Sequence, residues 1–507
     1  MRQARARWYD RGFVTGGQGK VSAFKLPRVR YRETDDPTAD LARYQHIALI
    51  VAKAADLAHA PFGALLQKRL KAQGVAIKPG TVFLTEAPDE AGTTLAVGFA
   101  DATLDTFALL ELARKLTRFR PGVARVALLA PGLSGAAHKE ALRALVRCLY
   151  AQAPLPSRQT GRTVNPPTAV DVYGAGEDDR ALRAAAHGNH LARALSVLPE
   201  NELGPADYVK RVKKLAIDNG WRFRFLDEKR LAALGAGAFL AVTRTRAAGA
   251  GIVHLRYTPR KALRPPVTLV GKGICFDTGG VNLKPARHMY GMHEDMQGSA
   301  VALGTLLALA QSHAPFRVDC YLAIAENAIG PLSYRPNEVV RAVDGTTIEV
   351  VHTDAEGRMV LADTLALAAR ERPGLIIDYA TLTGACVYAL GTRMTGAFTN
   401  RPELTLRLIE AGRASGERVW PFPLADDYNA DLKSDIADIK QCTLDGEADH
   451  ILAALFLKRF IAHDPTWIHL DLSAGRHKGG LGAIPTDTTG FGVDFTLALL
   501  ADPAFAW

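Results

Sequence analysis

Cysteine is sparse in this chain of 507 residues: Cys148, Cys275, Cys320, Cys386 and Cys442 stand far apart and form no CxxC pair. That excludes a zinc ribbon and a disulfide framework, and reduced, mostly buried thiols are expected, with Cys275 close enough to the charged motifs below to be sensitive to oxidation. Apolar runs of membrane-spanning length are absent, and the basic opening MRQARARWYDRGF lacks the apolar stretch of a secretory signal. A cytoplasmic protein with no membrane partner is therefore expected. An HExxH pair is missing too: His288 and His293 lie five residues apart, do not share a helical face, and read as loop residues. LAALGAGAFLAV at 231–242 carries the glycines of a nucleotide loop without the basic or hydroxyl partner of a phosphate, so close packing of a helix explains it better. Internal repeats and low-complexity tracts are also absent.

With 48% hydrophobic residues the chain can bury large cores and should hold two or more domains. The segments PPVTLVGKG, VDCYLAIAEN, TIEVVHTD, GLIIDYATLT and WIHLDLSAG are β-branched or apolar runs ending in Gly, Asp, Asn or Thr, and helical-period stretches at 297–312 and 360–370 lie between several of them. This alternation predicts an α/β fold with a mostly parallel sheet covered by helices. Upstream lies a second α/β region, with strands at 46–53 and 123–131 and a helix near 137–151. The polar, Pro- and Gly-containing stretch 156–179 reads as a linker. The expected organisation is an N-terminal α/β domain over 1–178 and a larger catalytic domain over 179–507, entered by a connecting helix at 180–197.

Three motifs carry the chemistry: GKGICFDTGGVNLKP at 271–285, HEDMQGSA at 293–300 and HTDAEGR at 352–358. Any one of their aspartates alone would be read as a helix cap or an Asx turn. Together Asp277, Asp295, Asp354 and Glu356 are four carboxylates beside apolar segments, and like charges gathered in one pocket repel unless cations neutralise them. Two divalent ions would do so. Lys284 and Arg358 would then face a substrate, where a fixed cation can stabilise the oxyanion of a hydrolytic intermediate. Ligands bind outside the carboxyl ends of parallel strands, so Lys272, Asp277, Asp354 and Glu356, each read as just past a strand, should converge on one edge. Asp295 should join them from the start of a helix. Lys272 has two open readings: a neutral amine ligand beside the ions, or an ammonium paired with Asp277 at a turn.

The catalytic half resembles the leucine aminopeptidases, also called cytosol aminopeptidases. FDTGG, the lysine of NLKP, the aspartate of EDM, TDAEGR, DYATLTGA at 378–385, LFLKRF at 455–460 and TGFGV at 489–493 stand in that family's order, and the likeness covers roughly 180–507. The resemblance implies an enzyme that removes N-terminal, Leu-like residues from peptides with a free N-terminus by attack of a metal-bridging hydroxide. It implies that Asp277 and Glu356 bridge two ions, that Asp354 completes one site, and that Lys272 with Asp295 completes the other. The ions would be zinc, manganese or magnesium. Lys284 would polarise the scissile carbonyl, and Arg358 would hold a bicarbonate acting as general base. Leu382 matches the segment that binds the bicarbonate and the substrate amine, and Met292, Thr381 and Gly384 match positions lining the first side-chain pocket. A homo-hexamer is implied as well. The chain departs from the family at His352, where Asn is usual, and at Thr278, where Ser is common. His352 is expected to hydrogen-bond behind the charged groups, with tuning of the pocket or a response to pH as the alternative, and Thr278 keeps its hydroxyl.

The net charge of +10 is uneven: 114–162 holds ten Lys or Arg against Glu140 alone, and 1–40 holds nine basic against five acidic residues. Some bacterial members of the resembled family bind DNA, so a DNA-binding or scaffold protein that retains the fold is the rival function. A solvated face or a subunit contact explains the same arginines. A two-metal carboxypeptidase would additionally need a cation for the substrate's C-terminal carboxylate.

Overall fold

The computed structural model describes residues 26–33, 43–89, 92–156, 166–174, 178–245 and 248–507. The basic opening segment and much of the 156–179 linker lie outside them. The chain divides into two compact units: Met1–Ala186 with Arg413–Gly416 and Lys478–Asp487, and His187–Gly412 with Glu417–His477 and Thr488–Trp507. No helix among the described residues is long and apolar enough to cross a membrane.

The first unit is built on strands β1 (Arg28–Arg32), β2 (His46–Val51), β3 (Val82–Glu86), β4 (Thr94–Phe99), β5 (Arg125–Leu129) and β6 (Ala169–Tyr173), in the order β1-β6-β5-β2-β4-β3. All neighbours are parallel except β3 with β4. The run HIALIV of β2 is buried throughout because both faces of the sheet are covered. Ala48 and Ile50 enter one core with helices Thr106–Leu116 and Gly135–Ala151, whereas Ile47, Leu49 and Val51 enter another with helix Gly63–Ala72. Part of the basic stretch serves this unit internally. Arg114 donates to the carbonyls of Gly479 and Ile484 and pairs with Glu111, and Arg120 pairs with Glu86.

In the second unit eight strands form one sheet: β7 (Arg222–Asp227), β8 (Gly251–Tyr257), β9 (Val267–Asp277), β10 (Val318–Asn327), β13 (Leu375–Ala380), β14 (Thr395–Thr399), β15 (Val419–Pro421) and β17 (Thr466–Asp471). Their order is β15-β14-β17-β13-β9-β10-β8-β7. The central four, β17-β13-β9-β10, run parallel, so their carboxyl ends share an edge. Helix Gln297–Gln311 packs on β9, β10 and β13, and helix Glu356–Ala369 on β9 and β10. Their opposite placement is read from β9: a Cβ on Gly271 would stand 2.4 Å from Ser299 Cα, while the next residue, Lys272, runs beside Gly357. Sandwiched between layers, residues 297–309 and 356–369 are all buried.

Two expectations are corrected. TIEVVHTD does not join the main sheet: β12 (Thr347–Glu349) lies between β11 (Val339–Arg341) and β16 (Ile439–Lys440) in a separate three-stranded sheet. Its three-residue length and alternating burial mark a strand covered on one face only. Lys272 is also not past a strand but inside β9, which continues through GKGICFD for eleven residues. In LAALGAGAFLAV, Gly235 caps helix Glu228–Leu234 in the left-handed region and Gly237 opens helix Gly237–Val242 against the Arg341 carbonyl. Helix packing is thus the use of those glycines. His288 and His293 lie on short helical turns, Ala286–Met289 and Met292–Glu294, rather than in open loop. All five cysteines are free and buried.

His46 gives the first unit an acid sensitivity. Its Nε2 bonds the Leu116 carbonyl at 2.7 Å, its ring packs edge-on against Phe119, and burial lowers its pKa from 6.5 to about 4. The unfolded chain takes up the proton at the higher pH, so stability is complete above 6.5 and is lost as pH falls from there toward 4. At about 1.4 kcal/mol per pH unit the loss approaches ~3 kcal/mol. Thermal melts between pH 8 and 4 should show His46→Gln with the shallower acid slope; equal slopes would contradict this.

Candidate metal centre

The charged residues meet at the carboxyl edge of the central strands, and a register change in β9 allows it. Lys272 and Asp277 are five residues apart, an odd spacing that sends side chains to opposite faces of a regular strand. Lys272 pairs with Ala323, Ile274 with Ala325 and Asp277 with Asn327, so β9 uses three residues where β10 uses two. This bulge restores the phase, and Lys272 and Asp277 face the same side. After Asp277 the FDTGG turn bends back, and Gly279, at φ +86°, has no room for a Cβ, which would stand 2.8 Å from Asp354 Oδ1. The Lys284 N–H donates to the Thr278 carbonyl at 2.9 Å, and Asn282 exchanges hydrogen bonds with Thr353, tying this turn to the loop that carries Asp354.

Asp354 and Glu356 reach the cluster from the loop after β12 and the first residue of helix Glu356–Ala369. The fully buried Gln441 shapes that loop: its Oε1 accepts from the N–H groups of Val351 and His352, and its Nε2 donates to the Ala355 carbonyl. His352 Nδ1 accepts from the Asp354 N–H at 3.2 Å, a local turn bond. Asp295 follows the short turn Met292–Glu294 and precedes helix Gln297–Gln311.

Oxygens of Asp277, Asp354 and Glu356 lie within 4.8 Å of one another. Two ammonium groups are threaded through the cluster. Lys272 Nζ stands 2.8 Å from Asp295 Oδ1 and 2.9 Å from Glu356 Oε1, and Lys284 Nζ stands 2.9 Å from Asp277 Oδ2 and 2.5 Å from Asp354 Oδ1. Of the two readings of Lys272, the ion pair is present here, but with Asp295 and Glu356; Asp277 pairs with Lys284 instead. Burial lowers both lysine pKa values, yet the surrounding carboxylates overcome it and hold both above the usual range. Four carboxylates against two ammoniums leave excess negative charge. Burial first, then repulsion from Asp277, raises Glu356 and Asp354; burial also raises Asp295, against the pull of Lys272 and with a push from Asp277.

Arg358 is not open as expected. Its Nη2 donates to Asp449 Oδ1 at 2.7 Å and its Nη1 to the Gln441 carbonyl at 3.0 Å, while Nε is buried without a partner. Thr381 is joined to the cluster: its hydroxyl donates to Asp295 Oδ1 at 2.7 Å and its carbonyl accepts from Lys272 Nζ at 3.0 Å. The Leu382 N–H is taken by Asp471 Oδ1. Met292 is half-buried, its carbonyl accepting from the Asp295 N–H, and Gly384 is exposed at the start of helix Gly384–Leu390. Sequence reasoning passed over Asn327, Gln441, Asp449 and Asp471. Their only signal was position, Asn327 and Asp471 each closing a strand run at the shared edge.

The residues suit divalent cations. Asp295 Oδ2 is buried with no hydrogen-bond partner, the excess charge is negative, and an all-oxygen carboxylate set accepts hard or borderline ions. A mostly parallel α/β sheet that gathers such a set at its carboxyl edge defines a class of divalent-cation site. Residues 190–497 match the model of the cytosol aminopeptidase family, catalytic domain. A probable cytosol aminopeptidase of Desulfovibrio desulfuricans is 45% identical over 286 residues, which span 56% of this chain and 57% of that protein. Among solved structures, the bottromycin maturation enzyme BotP in complex with Mn superposes with a TM-score of 0.79 at 31% identity, covering 90% of this chain and 99% of that one. A mutant of tomato leucine aminopeptidase gives 0.82 at 26% identity, with 95% and 97% covered. The chain belongs to the cytosol aminopeptidase family.

Gly357 is the point at which this packing can be probed. An added Cβ would stand 2.6 Å from Lys272 Cε and 2.7 Å from Nζ. Helix propensity favours alanine by about 1 kcal/mol, but overpacking costs about 1–3 kcal/mol. Gly357→Ala should therefore be destabilised by about 1 kcal/mol in denaturant unfolding, and a variant as stable as the parent would mean that Lys272 moves freely.

Proposed function

We propose that this protein is a metal-dependent aminopeptidase that removes N-terminal, Leu-like residues from peptides. The observation that carries the reading is the convergence of Asp277, Asp295, Asp354 and Glu356 with Lys272 and Lys284 in one buried cluster. Asp277 and Glu356 would be shared between two ions, Asp354 would serve one, and Asp295 with Lys272, once its ammonium has given up a proton, would serve the other. Zinc, manganese and magnesium all suit the oxygen-rich set. When bound, such ions supply Lewis acidity and activation of water near neutral pH.

The chain's own groups do the rest. Lys284 is anchored through its backbone to the FDTGG turn; once its carboxylates are neutralised by other charges, its ammonium would be available to a carbonyl oxygen, where it would stabilise developing negative charge. Arg358 keeps the opposite arrangement. A guanidinium has five N–H donors, and Asp449 and the Gln441 carbonyl accept from two, so a rigidly held fork retains donors for an anion such as bicarbonate, the general base of this reading. Met292, Thr381 and Gly384 would line the pocket for the first residue, and the segment at Leu382 would help bind the bicarbonate and the substrate amine. A cytoplasmic homo-hexamer is the assembly this reading carries with it, on the strength of family membership.

Hydrolysis of leucyl p-nitroanilide with added Mn²⁺ tests the reading. Activity should vanish on chelation and fall by about 10²–10³-fold or more in Lys284→Ala and Glu356→Ala, and N-acetylleucyl p-nitroanilide should be left intact. Cleavage of the acetylated substrate, or inactive protein that binds two ions, would overturn it.

A further inference from the structure

Asn327, the last residue of β10, has its side chain entirely buried among the acidic groups. Its Nδ2 lies 2.8 Å from Asp277 Oδ1, 3.1 Å from the Thr353 carbonyl and 3.5 Å from Glu356 Oε2. All three are acceptors, so the atom facing them is the NH₂ and not the amide oxygen, whichever way the group is rotated. The amide oxygen is buried on the other side with no hydrogen-bond partner. Leaving a buried acceptor unpaired is costly, and the position tolerates it because the two N–H groups have charged and carbonyl acceptors at once. The main chain reinforces the contact: the Asn327 carbonyl accepts from both the N–H and the hydroxyl of Thr278, at 2.9 and 2.8 Å. The β9 bulge sets Asn327 directly opposite Asp277, and without that extra residue the two side chains would point to opposite faces.

We propose that Asn327 is a positioning residue for the metal centre. Its two N–H groups tie Asp277 of β9 to the Thr353 carbonyl of the loop that leads into Asp354 and Glu356, with Glu356 Oε2 a longer 3.5 Å away, and so set the spacing of carboxylates from different elements and the oxygens they turn toward a cation. A neutral donor suits the place: it binds carboxylate oxygens without adding a positive charge that would compete with metal ions. A third lysine here would satisfy the same acceptors and repel the ions.

The inference rests on the two-ion reading, and the experiment separates the two. Mn²⁺ is titrated calorimetrically into the full-length parent and Asn327→Ala, and leucyl p-nitroanilide hydrolysis is followed at saturating Mn²⁺. The parent should bind two ions. Asn327→Ala should bind them about 10–100-fold more weakly, the range seen when partners of metal ligands are removed, with kcat reduced and KM unchanged within twofold. Asn327→Ser, which keeps a donor too short to span both acceptors, is measured in the same way and decides the matter if the alanine variant does not fold. Parent-like affinity in a folded variant, with or without a lowered melting temperature, overturns the positioning role while leaving the two-ion reading intact. A parent that binds no Mn²⁺ sinks both.

Discussion

Burying several carboxylates within a few ångströms is the constraint from which the rest of the second unit follows. Each would ionise at ordinary pH if exposed, and each resists ionisation when buried beside the others, which is why Glu356, Asp295 and Asp354 all stand above the ordinary range. Such a cluster survives folding only with cations inside it. Lys272 and Lys284 meet that need in this structure, each reaching two carboxylates from different segments. A buried ion pair is weak evidence for stability because desolvation takes back most of the attraction. Its retention here is better understood as readiness for a stronger cation than as structural support.

The fold pays attention to this cluster through geometry rather than through affinity. Four parallel strands end at one edge, but a regular strand would not bring both Lys272 and Asp277 to the same face. The bulge in β9 shifts the phase once, at the sheet centre, with both neighbouring strands already committed to register. The cost is a local break in a strand buried at all but Phe276. It is borne where Asn327 and Thr278 immediately restitch β9 to β10 by side-chain and main-chain bonds.

The sequence made the α/β layering and the convergence of its charged motifs legible, because both rest on local signals: apolar runs closed by turn residues, and acidic residues where apolar neighbours make charge expensive. What it concealed depended on pairing across distance. TIEVVHTD has the composition of a core strand, and nothing within it says that it pairs with Val339–Arg341 and Ile439–Lys440 instead. Lys272 and Asp277 were expected to converge, but the register that lets them do so despite their odd spacing shows only in the pairing with β10. Asn327 and Gln441 were invisible for a different reason. Neutral amides at strand and loop ends are ordinary turn residues, and their importance lies in which distant groups they bridge.

The two cations assigned to substrate and anion differ in a way that sequence could not separate. Lys284 is a point charge held only by carboxylates that metal ions would also claim, so its position is conditional on what occupies the cluster. Arg358 is held by Asp449 and by a main-chain carbonyl, neither of them within the acidic triad, so its orientation is independent of occupancy. A guanidinium held at two of its nitrogens keeps its further N–H donors in one plane and at fixed angles. On the proposed reading an ammonium would suit the oxygen whose charge changes during reaction, and a guanidinium held by its neighbours would suit a bound anion. Exchanging them would give the bound anion the cation whose position is conditional.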